Sequence, residues 1–276
     1  MLAVVLALGA SATWGLADFF GPLKGRTLGP LRVLFWAQLG GLTAIALIVA
    51  VRGEGPADGA AFLAIPAALS GTLGLYAYYQ GMKVGAMSVV APIAGVSAVV
   101  PVIVGIASGD RPSGWQGLGI ACALIGVFFA SREPGRTEKR LAAGVGLALL
   151  AALGFGGYFP PMHAAGDADF WWAALLFRMT SSSIIFTAAL IRRPPIVVRG
   201  LDLPLILLVG VGDMAGNLLF AAASAQGLVS ITSVLASLYP IFTVVLARLV
   251  LHERVARSQE AGIALTLGGV ALIAAG

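Results

Sequence analysis

QGLGIACALIGV, at Gln116–Val127, returns 143 residues later as QEAGIALTLGGV at Gln259–Val270. Seven of the twelve positions keep the same residue in the same order. A second set of matches has an offset of 142: Gly85, Ser88, Ala94 and Val102 correspond to Gly227, Ser230, Ala236 and Val244. Self-similarity at a fixed spacing indicates that the chain contains two copies of one unit.

The composition is that of a membrane protein. Hydrophobic residues make up 59% of the 276 residues and charged residues only 11%, against about 25% charged in soluble chains. The mean hydropathy is +0.97. The net charge is +5, and the charged residues lie in short gaps between apolar runs. This distribution argues against a nucleic-acid-binding domain. The single cysteine, Cys122, permits no disulfide within the chain and no cysteine metal cluster.

Apolar runs of the length that a membrane helix needs, about 20 residues, occur ten times. These runs are 2–21, 31–51, 60–82, 86–107, 114–131, 141–160, 171–191, 203–225, 229–251 and 258–275. The longest polar gap, 132–140, is the predicted cytoplasmic linker between a first unit, 1–131, and a second, 141–276. We therefore predict an all-α polytopic membrane protein with ten transmembrane helices.

The distribution of basic residues predicts the orientation of the chain. Of the 17 lysines and arginines, 13 lie in loops after odd-numbered runs, and only Arg52 and Arg111 lie in loops after even-numbered runs. Because basic residues prefer cytoplasmic loops, both termini are expected outside a bacterial inner membrane. Five helices per unit is an odd number, so the second unit must be inverted. Two inverted repeats around a central cavity are typical of secondary transporters.

Several short motifs stand out along the chain: Trp14-Gly15, Phe155-Gly156, Asp110-Arg111, Gly119-Ile120, Tyr239-Pro240, Leu251-His252-Glu253-Arg254, Gly262-Ile263 and Gly269-Val270. In combination they resemble the motifs of the drug/metabolite transporter superfamily, in its EamA branch. Arg178 lies where the family often has an arginine, whereas the equivalent place in the first unit is Gln38, a departure from that pattern. The resemblance implies ten helices around a cavity and movement of small organic solutes, often export of amino acids.

The polar face of run 203–225 is the first candidate site. Asp213, Asn217, Phe220 and Ser224 are spaced so that they share one helix face. An ionisable residue within the hydrocarbon is expensive unless it is paired or hydrated, so Asp213 is a candidate to bind a substrate amine or a coupling proton. The alternative is a structural hydrogen bond between helices. Gly210, one turn earlier, permits close approach of a helix or a substrate.

Two further charged residues are candidates, each with a structural alternative. Asp18 is expected near the cytoplasmic surface, either in an interfacial ion pair or at the inner mouth of the cavity, where it is a second candidate for proton coupling. Arg178 either clamps a substrate carboxylate, which its planar guanidinium suits, or pairs with Asp213 or Asp169 and joins two helices. Arg248 is expected to extend toward the cytoplasmic interface.

Run 60–82 carries polar residues at helical spacing. Thr72, Tyr76, Tyr79, Gln80 and Lys83 fall on one face, and a wall of hydroxyls and an amide would suit a small polar ligand. The predicted substrate-binding set combines aromatic and polar residues: Asp213, Asn217, Arg178, Tyr76, Tyr79, Gln80, Trp14 and Phe220.

The remaining polar and proline residues predict packing and bends. The serines at 230, 233 and 237 are typical of a small-residue seam between membrane helices. Bends are expected where a membrane helix contains proline, which applies to Pro92, Pro101 and Pro240. His163 and Asp167 are expected in a solvated outer loop, His163–Asp169, after Pro160-Pro161.

The predicted function is membrane transport, and the resemblance favours export of a metabolite such as an amino acid. Asp213 would receive an amine or proton and Arg178 a carboxylate, so that a small amphipathic or zwitterionic metabolite moves by alternating access. A proton-coupled exporter of cations, using Asp213 or Asp18 without Arg178, is the alternative. An intramembrane aspartyl protease is a third hypothesis, since residues 210–213 read GVGD, although that chemistry needs a second aspartate nearby. No cofactor, metal or nucleic acid is expected beside the substrate and the bilayer, and monomer or homodimer stays open.

Overall fold

The regular structure of the described chain is helical throughout. A computed structural model describes residues 1–84, 94–130, 141–251 and 257–275. The helices are α1 Leu2–Leu28, α2 Pro30–Arg52, α3 Ala64–Val84, α4 Val99–Ala107, α5 Gly114–Ala130, α6 and α7 within Leu141–Arg192, α8 Asp202–Ser224, α9 Val229–Ala236, α10 Tyr239–Leu251 and α11 Arg257–Ala275. Short 3-10 turns, Gly59–Leu63 and Val96–Ala98, precede α3 and α4.

The outer surface of this bundle is apolar, as expected for a protein in lipid. Leu190, Leu208 and Leu249 expose 75%, 66% and 67% of their surface. Among the described residues, five helical segments are long and apolar enough to cross a membrane: Leu2–Leu28, Pro30–Arg52, Gly59–Met82, Gly146–Arg192 and Asp202–Ser224. Helices satisfy their own backbone hydrogen bonds, which is what the hydrocarbon requires.

The predicted runs and the observed helices differ most at the ends. The first run was expected to end at residue 21, but α1 continues to Leu28. The predicted outer loop His163–Asp169 is wrong for all but its last residue, because α6 remains helical through Pro160 and Pro161 as far as residue 168. Proline is tolerated within membrane helices because neighbouring groups can satisfy the freed carbonyls.

Asp169 replaces the expected loop by a sharp bend. Its backbone is extended, with φ −163° and ψ 99°, and this separates α6 (141–168) from α7 (170–192). Its Oδ1 accepts hydrogen bonds from the backbone N–H groups of Trp171 and Trp172, at 3.0 and 3.1 Å. Asp169 is thus the N-cap of α7, since a carboxylate there satisfies N–H groups that have no helical partner.

The predicted run 229–251 forms two helices rather than one. α9 ends at Ala236 and α10 begins at Tyr239, immediately before Pro240. This break agrees with the bend expected from the proline. Ser230, Ser233 and Ser237 are fully buried, as a packing seam requires.

Some predictions concern parts that lie outside the described residues. These are the linker 132–140, Pro92, the start of the run 86–107, and the side chains of Lys83 and Arg248.

Glycines let several helix pairs touch through their backbones. A Cβ on Gly210 of α8 would overlap the carbonyl oxygen of Ala37 in α2, and one on Gly40 would lie 2.6 Å from the carbonyl oxygen of Leu207. Gly210 thus serves approach of another helix, one of the two roles expected for it. Such contacts are the way membrane helices pack, because lipid supplies no hydrophobic driving force between them.

Two packed clusters of buried side chains lie at different depths along α1. One includes Ala10 of α1 together with Tyr158, Phe159 and Phe220. The other includes Ala17 of α1 and residues of α2, α3, α6, α7 and α8. The stretch of α1 between Ala10 and Ala17, together with the residues just after it, faces the interior where the two clusters meet.

Replacing Gly210 by Ala is expected to disrupt the α2–α8 contact, because the new methyl group would have to displace the backbone of α2. Gly212→Ala is the matched control, since its Cβ would lie 3.7 Å from the nearest atom, the carbonyl oxygen of Thr13. We expect Gly210→Ala to lower the Tm in detergent by roughly 5 °C or more relative to Gly212→Ala. Equal Tm values for the two variants would contradict this packing.

Candidate functional site

An internal cavity lies where the two packed clusters meet. Its volume is about 70 Å³, which is room for several water molecules. Residues of α1, α2, α3, α6, α7, α8 and the first residue of α10 line it, so both halves of the chain contribute. Six of the 14 lining residues are aromatic: Trp14, Phe155, Tyr158, Phe159, Phe177 and Tyr239.

The polar part of the wall combines acids, amides and hydroxyls. These residues are Asp18, Gln38, Thr72, Ser181, Asp213 and Asn217. No lysine, arginine or histidine is among the described lining residues. The hydroxyls of Thr72 and Tyr158 are buried without a hydrogen-bond partner within the described part of the chain. Such groups need a partner, which water or a polar ligand in the cavity can supply.

The guanidinium of Arg178 lies directly behind this wall and connects three helices. Its Nη2 donates to Oδ2 of Asp213 in α8 at 2.6 Å, and its Nη1 donates to Oε1 of Gln38 in α2 at 2.8 Å. The hydroxyls of Ser181 and Ser182 both lie 3.1 Å from the same Gln38 oxygen. Arg178 therefore pairs with Asp213, the structural alternative of the two expected for it, and not with Asp169.

The two members of this ion pair differ in solvent exposure. The side chain of Arg178 is only 1% exposed, whereas that of Asp213 is 24% exposed because it reaches the cavity. Gly41 of α2 provides the space, since a Cβ there would lie 3.1 Å from Nε of Arg178. A buried arginine without its carboxylate would be strongly unfavourable, so the position of Asp213 is constrained by Arg178.

Asp213 also anchors its helix face through its backbone. Its carbonyl oxygen accepts hydrogen bonds from Nδ2 of Asn217 at 2.7 Å and from Nε1 of Trp14 at 3.3 Å. The expected polar face of α8 is thus present, with Asp213 and Asn217 on the cavity wall. Phe220 of the same face is fully buried and does not line the cavity, since it packs against Trp14 and Tyr158.

Asp18 lies deeper than the sequence suggested. It is on the cavity wall, well before the end of α1 at Leu28, and not in an interfacial ion pair. Lys24, further along α1, binds Asp202 instead, at 2.6 Å. Within the described residues, Asp18 makes no hydrogen bond and no ion pair.

Of the predicted polar face of α3, only Thr72 is among the described residues that line the cavity. Gly71, Thr72 and Leu75 line the cavity, and Tyr76, Tyr79 and Gln80 are not among the described lining residues. The Tyr79 hydroxyl packs against Gly21 of α1 instead. The error is one of position along the helix: spacing predicts which residues share a face with Thr72, but not how far along that face the cavity extends.

Gln38, Ser181, Tyr158 and Tyr239 are the site residues that sequence reasoning did not select. Gln38 was noticed only as the counterpart of Arg178, and the structure brings these two counterparts into contact. Ser181 follows Arg178 by three residues and so shares its face. Tyr158 carried no distinctive signal, because aromatic residues are common in membrane helices, and Tyr239 was noted only as part of the Tyr239-Pro240 motif.

The geometry argues against the protease hypothesis. Two aspartates do line one cavity, but aspartyl proteases need a pair of carboxylates that share a proton. Here the Asp213 carboxylate is engaged by the buried guanidinium of Arg178 and is not free to pair with Asp18.

Comparison with known proteins identifies the family. One crystal structure, whose title names no activity, superposes with a TM-score of 0.82 at 15% identity, covering 99% of this chain and 98% of that one, and this similarity shows a shared fold. A search of curated protein sequences returned no match. The model of the EamA-like transporter family matches residues 1–132 and 142–275. The chain therefore belongs to the EamA-like transporter family, within the drug/metabolite transporter superfamily, and is an integral membrane transporter.

Proposed function

We propose that the protein exports small amphipathic metabolites carrying an amino group, by alternating access of the cavity to the two sides of the membrane. The observation that carries this proposal is the chemistry of the cavity wall. It presents the carboxylates of Asp18 and Asp213 among six aromatic rings, and no basic side chain of the described residues lines it. Carboxylates attract ammonium groups, and aromatic faces attract both cations and apolar groups.

The proposal includes an inverted repeat, which equivalent contacts in the two halves support. At offsets of 141 and 142, Gly15 corresponds to Gly156 and Ser97 to Tyr239. A Cβ on Gly15 would lie 2.8 Å from the carbonyl oxygen of Tyr239, and one on Gly156 would lie 2.7 Å from that of Ser97. Each contact is therefore the image of the other under exchange of the halves.

Aromatic contacts pair in the same way. Tyr78 of α3 packs on Phe155 of α6 with ring centroids 5.8 Å apart. The equivalent residues, Phe220 of α8 and Trp14 of α1, pack with centroids 6.2 Å apart. Each pair joins one residue of the first half to one of the second, and exchanging the halves converts one pair into the other. This is expected when a two-fold axis relates the halves.

The contacts between α5 and α11, which contain the repeated sequence, bear on the relative direction of the two halves. A Cβ on Gly119 would lie 2.6 Å from the carbonyl oxygen of Gly269, and one on Gly126 would lie 2.7 Å from that of Gly262. The early part of α5 thus meets the late part of α11, so the helices run antiparallel. Since Gly119 corresponds to Gly262 and Gly126 to Gly269, the two contacts exchange with each other. This supports inversion of the second half.

The membrane arrangement follows from the same proposal. We propose ten spans, with the linker 132–140 between the two segments that match the family model. Both termini would lie outside a bacterial inner membrane, because the basic loops would lie in the cytoplasm. Inverted halves rocking about a shared site would expose the cavity to each side in turn.

The structure favours an amine over a zwitterion as the recognised group. Binding a substrate carboxylate at Arg178, as the sequence suggested, would require the guanidinium to leave Asp213 and Gln38. An amine reaches Asp18 without disturbing any described hydrogen bond. The amino-acid hypothesis therefore depends on a rearrangement that the cation hypothesis does not need.

The proposed topology is tested with single cysteines in a Cys122→Ser background. Gly55→Cys lies in the loop after α2 and is expected outside, whereas Val197→Cys lies between α7 and α8 and is expected in the cytoplasm. In intact cells, a membrane-impermeant thiol reagent should label the first variant only, and permeabilised cells should label both. The reverse pattern in intact cells would contradict the orientation.

The substrate class is tested by flux into liposomes with three related compounds: phenylalanine, its decarboxylated amine phenethylamine, and N-acetylphenylalanine. We expect phenethylamine to be transported at least about tenfold faster than the N-acetyl compound, because only the amine carries a positive charge that can pair with the cavity carboxylates. The same three fluxes are also measured in the Arg178→Gln variant.

If no carboxylate contacts Arg178, the ratio of phenylalanine to phenethylamine flux should not change in Arg178→Gln, whatever happens to the absolute rates. A selective loss of phenylalanine flux in that variant would instead support the zwitterion hypothesis.

A further inference from the structure

The two carboxylates of the cavity differ in what neutralises them. Asp213 is held by Arg178 at 2.6 Å, and that guanidinium is buried. Asp18 has neither an ion-pair nor a hydrogen-bond partner within the described residues, although it reaches the same cavity. The protein therefore supplies a permanent counter-charge to one carboxylate and none to the other.

Among the described residues around Asp18, there is no cation that could replace such a partner. The titratable groups within electrostatic reach are Asp213 on α8, Tyr78 and Tyr79 on α3, and Tyr239 on α10. The phenols are neutral at ordinary pH, since tyrosine ionises near pH 10. The remaining charge is that of Asp213, which is already compensated by Arg178.

A carboxylate in this position has two low-energy states. Charge within the hydrocarbon region is unfavourable unless it is paired or hydrated, so Asp18 is stable when it carries a proton or when a cation binds it. Asp213 does not have this choice, because its protonation would leave Arg178 buried without a counter-ion. One carboxylate can exchange its partner, and the other cannot.

We propose that Asp18 is the exchangeable carboxylate, which binds either a proton or the ammonium group of the substrate, whereas Asp213 stays bound to Arg178. This inference rests on the proposed function and assigns its coupling step to one residue. When the ammonium group binds, Asp18 releases its proton to the cavity water, and when the substrate leaves, a proton returns. The Arg178–Asp213 pair holds α2, α7 and α8 together throughout.

Infrared difference spectroscopy of the purified protein tests this assignment without any need for transport. Raising the pH should remove the carbonyl band of a protonated carboxyl group, and adding phenethylamine at constant pH should remove the same band. Asp18→Asn should lack this band, whereas Asp202→Asn, which removes a carboxylate outside the cavity, should retain it. We also expect Asp18→Asn to weaken phenethylamine binding by about tenfold or more, and Asp202→Asn to leave it unchanged.

The role of Asp213 must be tested with a variant that preserves folding. Asp213→Asn alone leaves Arg178 unpaired and is expected to lower the Tm, so the double variant Asp213→Asn with Arg178→Gln removes both charges together. The titrating band should persist in this double variant. The proposal is overturned if the band is absent from the wild type, survives in Asp18→Asn, or disappears in the double variant.

The two proposals fail separately. If the band belongs to Asp18 and phenethylamine removes it, but liposomes show no amine flux, the proposed function fails and the exchange at Asp18 stands. If liposomes transport phenethylamine but the carbonyl band does not change when phenethylamine is added, the exchange at Asp18 is wrong and the proposed function stands.

Discussion

The buried guanidinium of Arg178 is the constraint on which the chemistry of the cavity depends. A charged group that is 1% exposed must be compensated within the protein, and Asp213 and Gln38 compensate it. This fixes the approach of α7 to α2 and α8, helped by Gly41, which leaves room for the guanidinium. It also removes Asp213 from the set of exchangeable groups, so that Asp18 is the cavity carboxyl group without a partner among the described residues.

In the proposed inverted repeat, the two halves share helix contacts but differ in the residues that they place in the cavity. The backbone contacts repeat in the two halves, but the cavity residues do not. Asp18 corresponds to Phe159 at an offset of 141, and Asp213 corresponds to Gly71 at an offset of 142. The duplicated unit thus provides the helix crossings, and divergence at a few cavity positions places both carboxylates on the wall.

Composition and spacing were sufficient to predict the helical fold, because hydropathy and helix length are local properties of the chain. The polar face of α8 was also predictable, since Asp213 and Asn217 are four residues apart. The extent of the cavity along α3 was not, because Thr72, Tyr76 and Gln80 share one face and only packing decides how much of that face the cavity reaches. The depth of Asp18 was not predictable because the first apolar run ends at residue 21, close to Asp18, whereas α1 continues to Leu28.

The most direct measurement is an experimental structure of the protein with phenethylamine bound. The account predicts that the ammonium nitrogen lies within hydrogen-bonding distance of the Asp18 carboxylate, while Arg178 remains on Asp213 and Gln38. An ammonium group on Asp213 with Arg178 displaced would contradict it, as would a second half that runs in the same direction as the first.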